Sequence, residues 1–396
     1  MGPLVVRRLL LLASAIVFVD TMFYAAVTPL LPDLAREFEL SKSAAGILTG
    51  SYAAGTLAGA LPGGWLAARL GVRPTVLIGL GIMSASSLGF ALAGNAAVLD
   101  GCRFVQGVGG AATWAGSLAW LIGAAPPGRR GELIGSAIAA AIGGALFGPA
   151  LGAAAQAVGR GPAFGAIGVL GLGLIWWTLR MPAAEPAARS GDVTLVSSLA
   201  DPRILAGSWL VTLPALLLGA LGVLAPLRLD ALGASAAVIA GAFLVAAALE
   251  GVVSPIAGRI SDRRGRLGPS VAGLACGTVV MALLPLPEAR LSLILLVILA
   301  APALGLLWAP AMAMLSDAAE ARGLDQGLAF ALVNLAWSVG ALAGAVGGAW
   351  VGERLGDAAA YLSLSVLCAV SLAAVLARAE LWDRTPHGTA AEKPIE

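Results

Sequence analysis

Three ionisable side chains, Asp20, Arg103 and Glu250, lie deep inside long apolar stretches of this sequence. Asp20 is the plainest case, set in SAIVFVDTMFYAAVTPLLP between Ser14 and Pro32. Apolar surroundings favour the neutral form of a carboxyl group, and a nearby cation favours the charged form. A carboxyl so placed can take up and release a proton, or meet a ligand. A guanidinium keeps its charge and needs acceptors or an anion wherever it is buried. Charge at such depth is costly and is usually both functional and paired. The other reading, for all three, is a fixed polar contact between helices. Gln106 and Asn334 are uncharged polar groups at similar depth, where interhelical hydrogen bonding is the default role. Tyr24, Trp114 and Trp308, with Trp120 and Trp337, share these stretches. Packing is their ordinary role; rings turned toward a cavity would favour apolar or aromatic ligands, or hold a cation over a face.

Several chemistries are excluded. No G-K-[ST] phosphate loop occurs, and the only lysines are Lys42 and Lys393, both outside the apolar stretches. A P-loop cradle for ATP is therefore absent from the sequence. GVGG at 107–110 is a poor dinucleotide match with no strand before it. The one histidine, His387, stands in a polar C-terminal tail, so Ser–His catalysis is implausible, and no G-x-G-D pair of acids appears. Cys102, Cys276 and Cys368 fall in apolar runs and read as small buried hydrophobes. No metal cluster or cofactor is expected, and no enzymatic activity. A net charge of +2 without a basic, aromatic-interleaved patch argues against nucleic acid.

The elements that must hold these residues follow from composition. The chain has 396 residues, 59% hydrophobic and 12% charged, with a mean hydropathy of +0.93. Soluble domains carry about 25% charged residues; this chain cannot cover itself for water. A spanning helix needs about 20 apolar residues, and twelve such runs are predicted, near 9–31, 45–67, 74–93, 97–124, 131–158, 161–180, 204–228, 236–259, 268–287, 290–314, 325–350 and 358–379. The runs are continuous rather than alternating, which disfavours strands. The first dozen residues resemble a signal peptide, but the apolar run continues to about Pro29, so a retained first helix is expected. The fold class is thus an all-α membrane protein of twelve transmembrane helices. The polar, Pro- and Ala-rich stretch 181–203 divides six helices (1–180) from six (204–379), and a tail, 380–396, follows that reads as disordered. With both termini cytoplasmic, basic residues divide 17 on that side to 6 on the other, Arg103 excepted, in the sense of the positive-inside rule.

The halves echo each other. GWLAARLGVR begins at Gly64 and GRISDRRGRL at Gly258, 194 positions later. Gly144, Gly148 and Gly152 have counterparts in Gly340, Gly344 and Gly348, 196 positions on. Such duplication commonly sets a binding site near the midplane between the repeats.

Four motifs in order resemble those of the major facilitator superfamily, specifically its 12-helix drug:proton antiporter type. They are DTMFYAAVTPLLP with Pro29 and Pro32; GWLAARLGVR through Gly64, Leu66, Arg69, Gly71 and Arg73; RFVQGVGGAA through Arg103, Gln106, Gly107 and Gly109; and GALFGPALGA through Gly144, Gly148, Pro149 and Gly152. The resemblance implies two pseudo-symmetric six-helix halves that rock in alternating access, with helices 1, 4, 7 and 10 around a central cavity. It implies gating loops at Gly64, Arg69, Gly71 and Arg73 and at Gly258, Asp262, Arg263, Gly265 and Arg266, although the same arginines could serve only to set topology. The helix-5 glycines and Pro149 read as a packing and bending face. One departure stands out: the family's loop acid is Ala68 here, and only the second copy keeps it, as Asp262. The function implied is proton-coupled efflux of a small amphipathic or hydrophobic compound, of the multidrug-resistance kind, by a monomer in the cell inner (plasma) membrane, with protons, substrate and the lipid bilayer as partners. Asp20, Arg103 and Glu250 are the candidate coupling or substrate residues, with Arg103 the expected partner of Asp20. A uniporter or proton symporter, or more remotely a non-transporting receptor, uses the same elements.

Overall fold

The computed structural model describes residues 3–126, 130–182, 201–322 and 326–378. Among them every regular element is an α-helix: α1 Pro3–Glu37, α2 Lys42–Leu70, α3 Val72–Leu92, α4 Ala96–Ala124, α5 Arg130–Val158, α6 Arg160–Arg180, α7 Pro202–Ala231, α8 Ala236–Arg264, α9 Leu267–Leu283, α10 Arg290–Ala321, α11 Gln326–Leu355 and α12 Asp357–Ala377. Each expected span has its helix. Ten are long and apolar enough to cross a bilayer, so the protein is a multi-pass membrane protein. The two outside that set have visible reasons. α9 stops at Leu283 rather than near 287, where Pro285 and Pro287 in close succession remove two backbone donors. α4 is diluted along its length, by Asp100, Arg103 and Gln106 in its first half and by glycines, Thr113, Ser117 and two tryptophans in its second. Most of the 181–203 divider, all of 380–396 and His387 fall outside the described residues.

Local chemistry sets the ends. Ser41, Asn95, Ser235 and Asp201 cap α2, α4, α8 and α7 by accepting a backbone N–H from Ala44, Val98, Val238 and Arg203. Gly71, Gly159, Gly265 and Gly356 take φ of +93°, +93°, +89° and +91°. Gly71, Gly159 and Gly356 are each the single residue between two helices, and Gly265 shares its connection with Arg266; at all four a side chain would be strained. Gly71 and Gly265, expected as gating residues, are thus first of all turn residues.

Buried apolar side chains gather into two large clusters. One is drawn from α1–α6, with Val223, Ala345 and Ala349 added; the other comes from α7–α12. Small residues decide the closest crossings. A Cβ on Gly144 would lie 2.2 Å from the Phe18 carbonyl oxygen, and one on Gly344 would lie 2.0 Å from that of Leu216. So α5 lies against α1 as α11 lies against α7. The hydroxyls repeat the pattern: Thr21 donates to the Ala141 carbonyl at 2.9 Å, and Thr212 to that of Ala336 at 3.0 Å.

The two clusters meet most tightly at the face where α1 and α7 end. There Arg36 of α1 pairs with Asp230 of α7. Lys42 of α2 reaches Asp357 at 2.6 Å, and the Ser43 N–H donates to Glu353 at 2.6 Å. Below them a Cβ on Gly46 would lie 2.5 Å from the Ala345 carbonyl oxygen. We call this the latched face, and the one where α1 and α7 begin the N-terminal face.

Candidate functional site

The site is built on one stripe of α4. Arg103, Gln106, Gly110 and Trp114 recur at the three- and four-residue spacing that puts side chains on one helical face. Opposite them α1 presents Asp20, Phe23 and Tyr24, again one face. α2 supplies Tyr52, and glycines bring it close. A Cβ on Gly55 would lie 1.9 Å from the Phe104 carbonyl oxygen, and one on Gly107 would lie 2.0 Å from that of Tyr52. Close backbone approach through small residues is how membrane helices gain packing. Here it delivers the Tyr52 hydroxyl to Asp20.

Asp20 is fully buried and Arg103 is 1% exposed. Asp20 Oδ2 accepts two hydrogen bonds, from the Tyr52 hydroxyl at 2.8 Å and the Trp114 indole N–H at 3.0 Å. Oδ1 has no protein partner. Gly110 makes the room, since a Cβ there would sit 3.0 Å from both Asp20 Oδ1 and the Tyr52 hydroxyl. Arg103 donates from Nη1 to Gln106 Oε1 at 2.6 Å and from Nη2 to the Tyr24 carbonyl at 3.3 Å. Its Cζ lies 5.1 Å from the Tyr52 ring, 5.6 Å from Tyr24 and 5.8 Å from Phe23, within reach of cation–π attraction.

The expected Asp20–Arg103 ion pair does not form. Tyr52 stands between them, its hydroxyl on the carboxylate and its ring against the guanidinium. The carboxylate is held by neutral donors and the cation by neutral acceptors and rings. Hydrogen bonds to neutral partners offset part of the desolvation of these two buried groups, and among the described residues no cation sits at ion-pair distance from the acid.

The aromatic group continues into the other cluster. Trp337 of α11 meets Tyr24 edge-on at 5.5 Å and Tyr52 at 6.2 Å. Trp337 and Trp308 pack together around Ala53, Ala215 and Ala341. Glu250, half-buried on α8, has the Trp308 indole as its neighbour, and a Cβ on Gly305 would lie 2.9 Å from its Cγ. Glu250 thus neighbours Trp308, and Asp20 is joined to Trp337 through Tyr52. Asn334 contributes its carbonyl to the Ser338 hydroxyl at 2.7 Å.

The residues expected in gating loops lie away from this centre, and most are helical: Gly64 and Arg69 in the last two turns of α2, Arg73 in the first turn of α3, and Gly258, Asp262 and Arg263 in the last two turns of α8. Gly64, Arg69, Asp262 and Arg263 are exposed, and Arg69 stacks 5.3 Å from the Trp65 ring. Arg73 donates to the Leu179 carbonyl, tying α3 to α6. A Cβ on Gly258 would touch Ala309 at 3.3 Å. Arg266 pairs with Asp317 at 2.6 Å, while Asp262 has no ion-pair partner among the described residues. Gly144, Gly148 and Gly152 face α1, and Pro149 is buried beside them. Gly144→Ala is expected to force α1 from α5 and cost about 1–3 kcal/mol, read as a lower Tm of the purified protein. An unchanged Tm with lost transport would instead make that glycine a hinge.

Sequence reasoning missed Tyr52, Gly110 and Phe23. Tyr52 had a usable signal: it is one of three tyrosines, and it precedes Gly55, Gly59 and Gly63, a small-residue face at four-residue spacing. The two clefts of note lie elsewhere, both among helices α7–α12; neither is bounded by helices 1, 4, 7 and 10 together.

Comparison with known proteins decides the family. The family model described as Major Facilitator Superfamily matches residues 13–325. The chain belongs to the major facilitator superfamily. Among solved structures of superfamily transporters it superposes on a bacterial homologue of the human lysosomal transporter Spinster, in an inward-facing and unoccupied conformation. The TM-score is 0.77 at 15% identity, over 96% of this chain and 98% of that one. It also superposes on a D-xylose–proton symporter, at TM-score 0.70 and 18% identity, over 92% and 96%. At these identities the likeness is one of fold. Curated relatives are the MFS-type transporters ppzB of Metarhizium majus, 30% identical over 128 residues, and of Metarhizium rileyi, 29% identical over 127. The match spans 31% of this chain in each case, and only 28% and 26% of the relatives' length. The superfamily assignment makes the chain a transporter-family protein.

Proposed function

We propose that this protein is a secondary active transporter that moves a small amphipathic or hydrophobic compound out of the cell in exchange for protons. One observation carries the reading: a fully buried acid, Asp20, with two neutral donors on one oxygen, none on the other and no cation at ion-pair distance. A carboxyl so held needs little rearrangement to gain or lose a proton. Glu250, beside Trp308, is the second candidate carrier. The aromatic lining of Tyr24, Tyr52, Trp308 and Trp337 suits an apolar or aromatic substrate.

In this reading α1–α6 and α7–α12 are the two rocking halves of a monomer in the plasma membrane, with both termini cytoplasmic. The latched face is then the outer one, and the described conformation is closed outward. A proton arriving from outside loads Asp20 or Glu250 when the latch opens. The halves rock, the proton leaves on the cytoplasmic side, and substrate takes the vacated centre. The repeated glycine turns and the matching α1–α5 and α7–α11 contacts support a duplicated body. Export rather than uptake rests on the helix-5 glycine–proline motif.

Inside-out vesicles with an imposed pH gradient test the direction. Substrate accumulates only when the proton gradient has the antiport sign; accumulation with the opposite sign makes the protein a symporter, and indifference to the gradient a uniporter. Glu250→Gln tests the second acid. The amide keeps size and hydrogen bonding but cannot cycle a proton, so gradient-driven transport falls at least ten-fold with Tm unchanged. Wild-type transport by this variant reduces Glu250 to packing against Gly305 and Trp308.

A further inference from the structure

The larger of the two clefts, about 740 Å³, opens between α7, α10 and α12 at the N-terminal face. Its walls are apolar and exposed: Leu205 and Trp209 on α7, and Val370 and Ala374 on α12. Its mouth is basic, with Arg203 where α7 begins, Arg322 where α10 ends and Arg378 where α12 ends. Among the described residues that line it, the one acid at the mouth is Asp201, paired with Arg322 at 2.5 Å. Burial works against its charge, but the Arg203 N–H and the Arg322 guanidinium hold its carboxyl below the usual range, so it is ionised at neutral pH. Arg203 and Arg378 have no acid within ion-pair distance among the described residues. Deeper in, the Trp209 indole donates to the Ser371 hydroxyl at 3.0 Å. That bond lies about 10 Å along both helices from the arginines, at the helical rise of about 1.5 Å per residue. It satisfies the two polar groups of the walls against each other and leaves the inner cleft apolar.

We propose that this cleft binds one anionic phospholipid of the leaflet that meets the N-terminal face. Its phosphate lies between Arg203 and Arg378, and its acyl chains run along Trp209, Leu205 and Val370. The argument is charge complementarity joined to depth. Two guanidinium groups with no ion-pair partner among the described residues, at the level where helices leave the bilayer, match a lipid phosphate. The apolar slot that descends from them matches the chains. A soluble anion would use the mouth alone and leave the slot without an occupant. The site stands apart from Asp20 and does not depend on the transport reading.

Quenching by brominated lipids tests it. The protein is reconstituted in phosphatidylcholine bilayers, with a few per cent of either dibrominated phosphatidylglycerol or dibrominated phosphatidylcholine in both leaflets. The contribution of Trp209 is taken as the difference between the parent and Trp209→Phe. Phosphatidylglycerol is expected to win by about five-fold per unpaired arginine, thus roughly 25-fold for the pair. The double variant Arg203→Gln, Arg378→Gln, which changes only exposed side chains, brings the ratio close to one. Arg69→Gln, an exposed side chain in the last turn of α2 that does not line the cleft, leaves it unchanged. Equal quenching of the parent by both lipids overturns the proposal, as does a preference that survives the double variant. Quenching by neither lipid means that protein fills the cleft, and displacement by millimolar glycerol 3-phosphate means a simple anion site; both also overturn it.

Discussion

Asp20→Asn is expected to abolish gradient-driven transport while leaving expression and thermal stability almost unchanged. The geometry makes the substitution nearly isosteric. Both donors to Asp20, the Tyr52 hydroxyl and the Trp114 N–H, converge on Oδ2, and an amide oxygen in that position keeps both bonds. The amide NH₂ then falls where Oδ1 was, a position without a protein acceptor or donor to lose. What disappears is the ability to hold and release a proton. Transport driven by a pH gradient should drop at least 100-fold at every pH tried, while the Tm stays within a degree or two. Substrate exchange without a gradient should persist, since it requires no net proton movement. Parent-like driven transport by Asp20→Asn across a range of pH would falsify the coupling role and leave Asp20 as a structural acceptor.

Arg103→Ala should damage stability and transport together. The guanidinium touches both sides of the α1–α4 contact, through Gln106 Oε1 and the Tyr24 carbonyl, and it lies against three rings. Truncation strands the two acceptors and opens a void beside Phe23, Tyr24 and Tyr52. Lost hydrogen bonds to a charged group and lost cation–π contact together amount to about 2–4 kcal/mol, visible as a Tm lower by several degrees and a smaller yield. Because Tyr52 is positioned by the same side chain, Asp20 loses its aligned donor as well. Arg103→Lys separates the two effects. It keeps the charge near the rings but has one nitrogen for two acceptors, so most of the stability and only part of the transport should return. A stable, fully active Arg103→Ala would show that the aromatic cluster holds itself without the cation.

Composition and hydropathy alone made the fold class legible. A chain with 12% charged residues must face lipid, and backbone polar groups in lipid are satisfied only within helices or closed barrels. Continuous apolar runs then choose helices. The spans were readable because each is bounded by signals that act locally: capping Ser, Asn and Asp, single turning glycines, and the two prolines just beyond α9. The duplicate glycines of helices 5 and 11 were legible for the same reason, since small residues at four-residue spacing announce a close crossing without needing its partner.

Which polar groups meet was decided only in three dimensions. Asp20, Arg103 and Gln106 stood out singly, because an ionisable or amide group in an apolar run is conspicuous wherever it occurs. Opposite charges on adjacent helices suggested a direct pair, the simplest electrostatic arrangement. The packing chose otherwise. Gly55 and Gly107 let α2 press against α4, and that crossing, a property of two helices and not of either sequence, slides Tyr52 between acid and guanidinium. Gly110 then leaves the space in which the carboxylate and the phenol meet. Trp337 joins them from almost three hundred residues away because the latched face draws α11 against α2. Periodicity reports what a helix can bury, since that depends on its own side chains. Contact partners depend on the crossing of separate helices, and there a missing Cβ weighs as much as a charge.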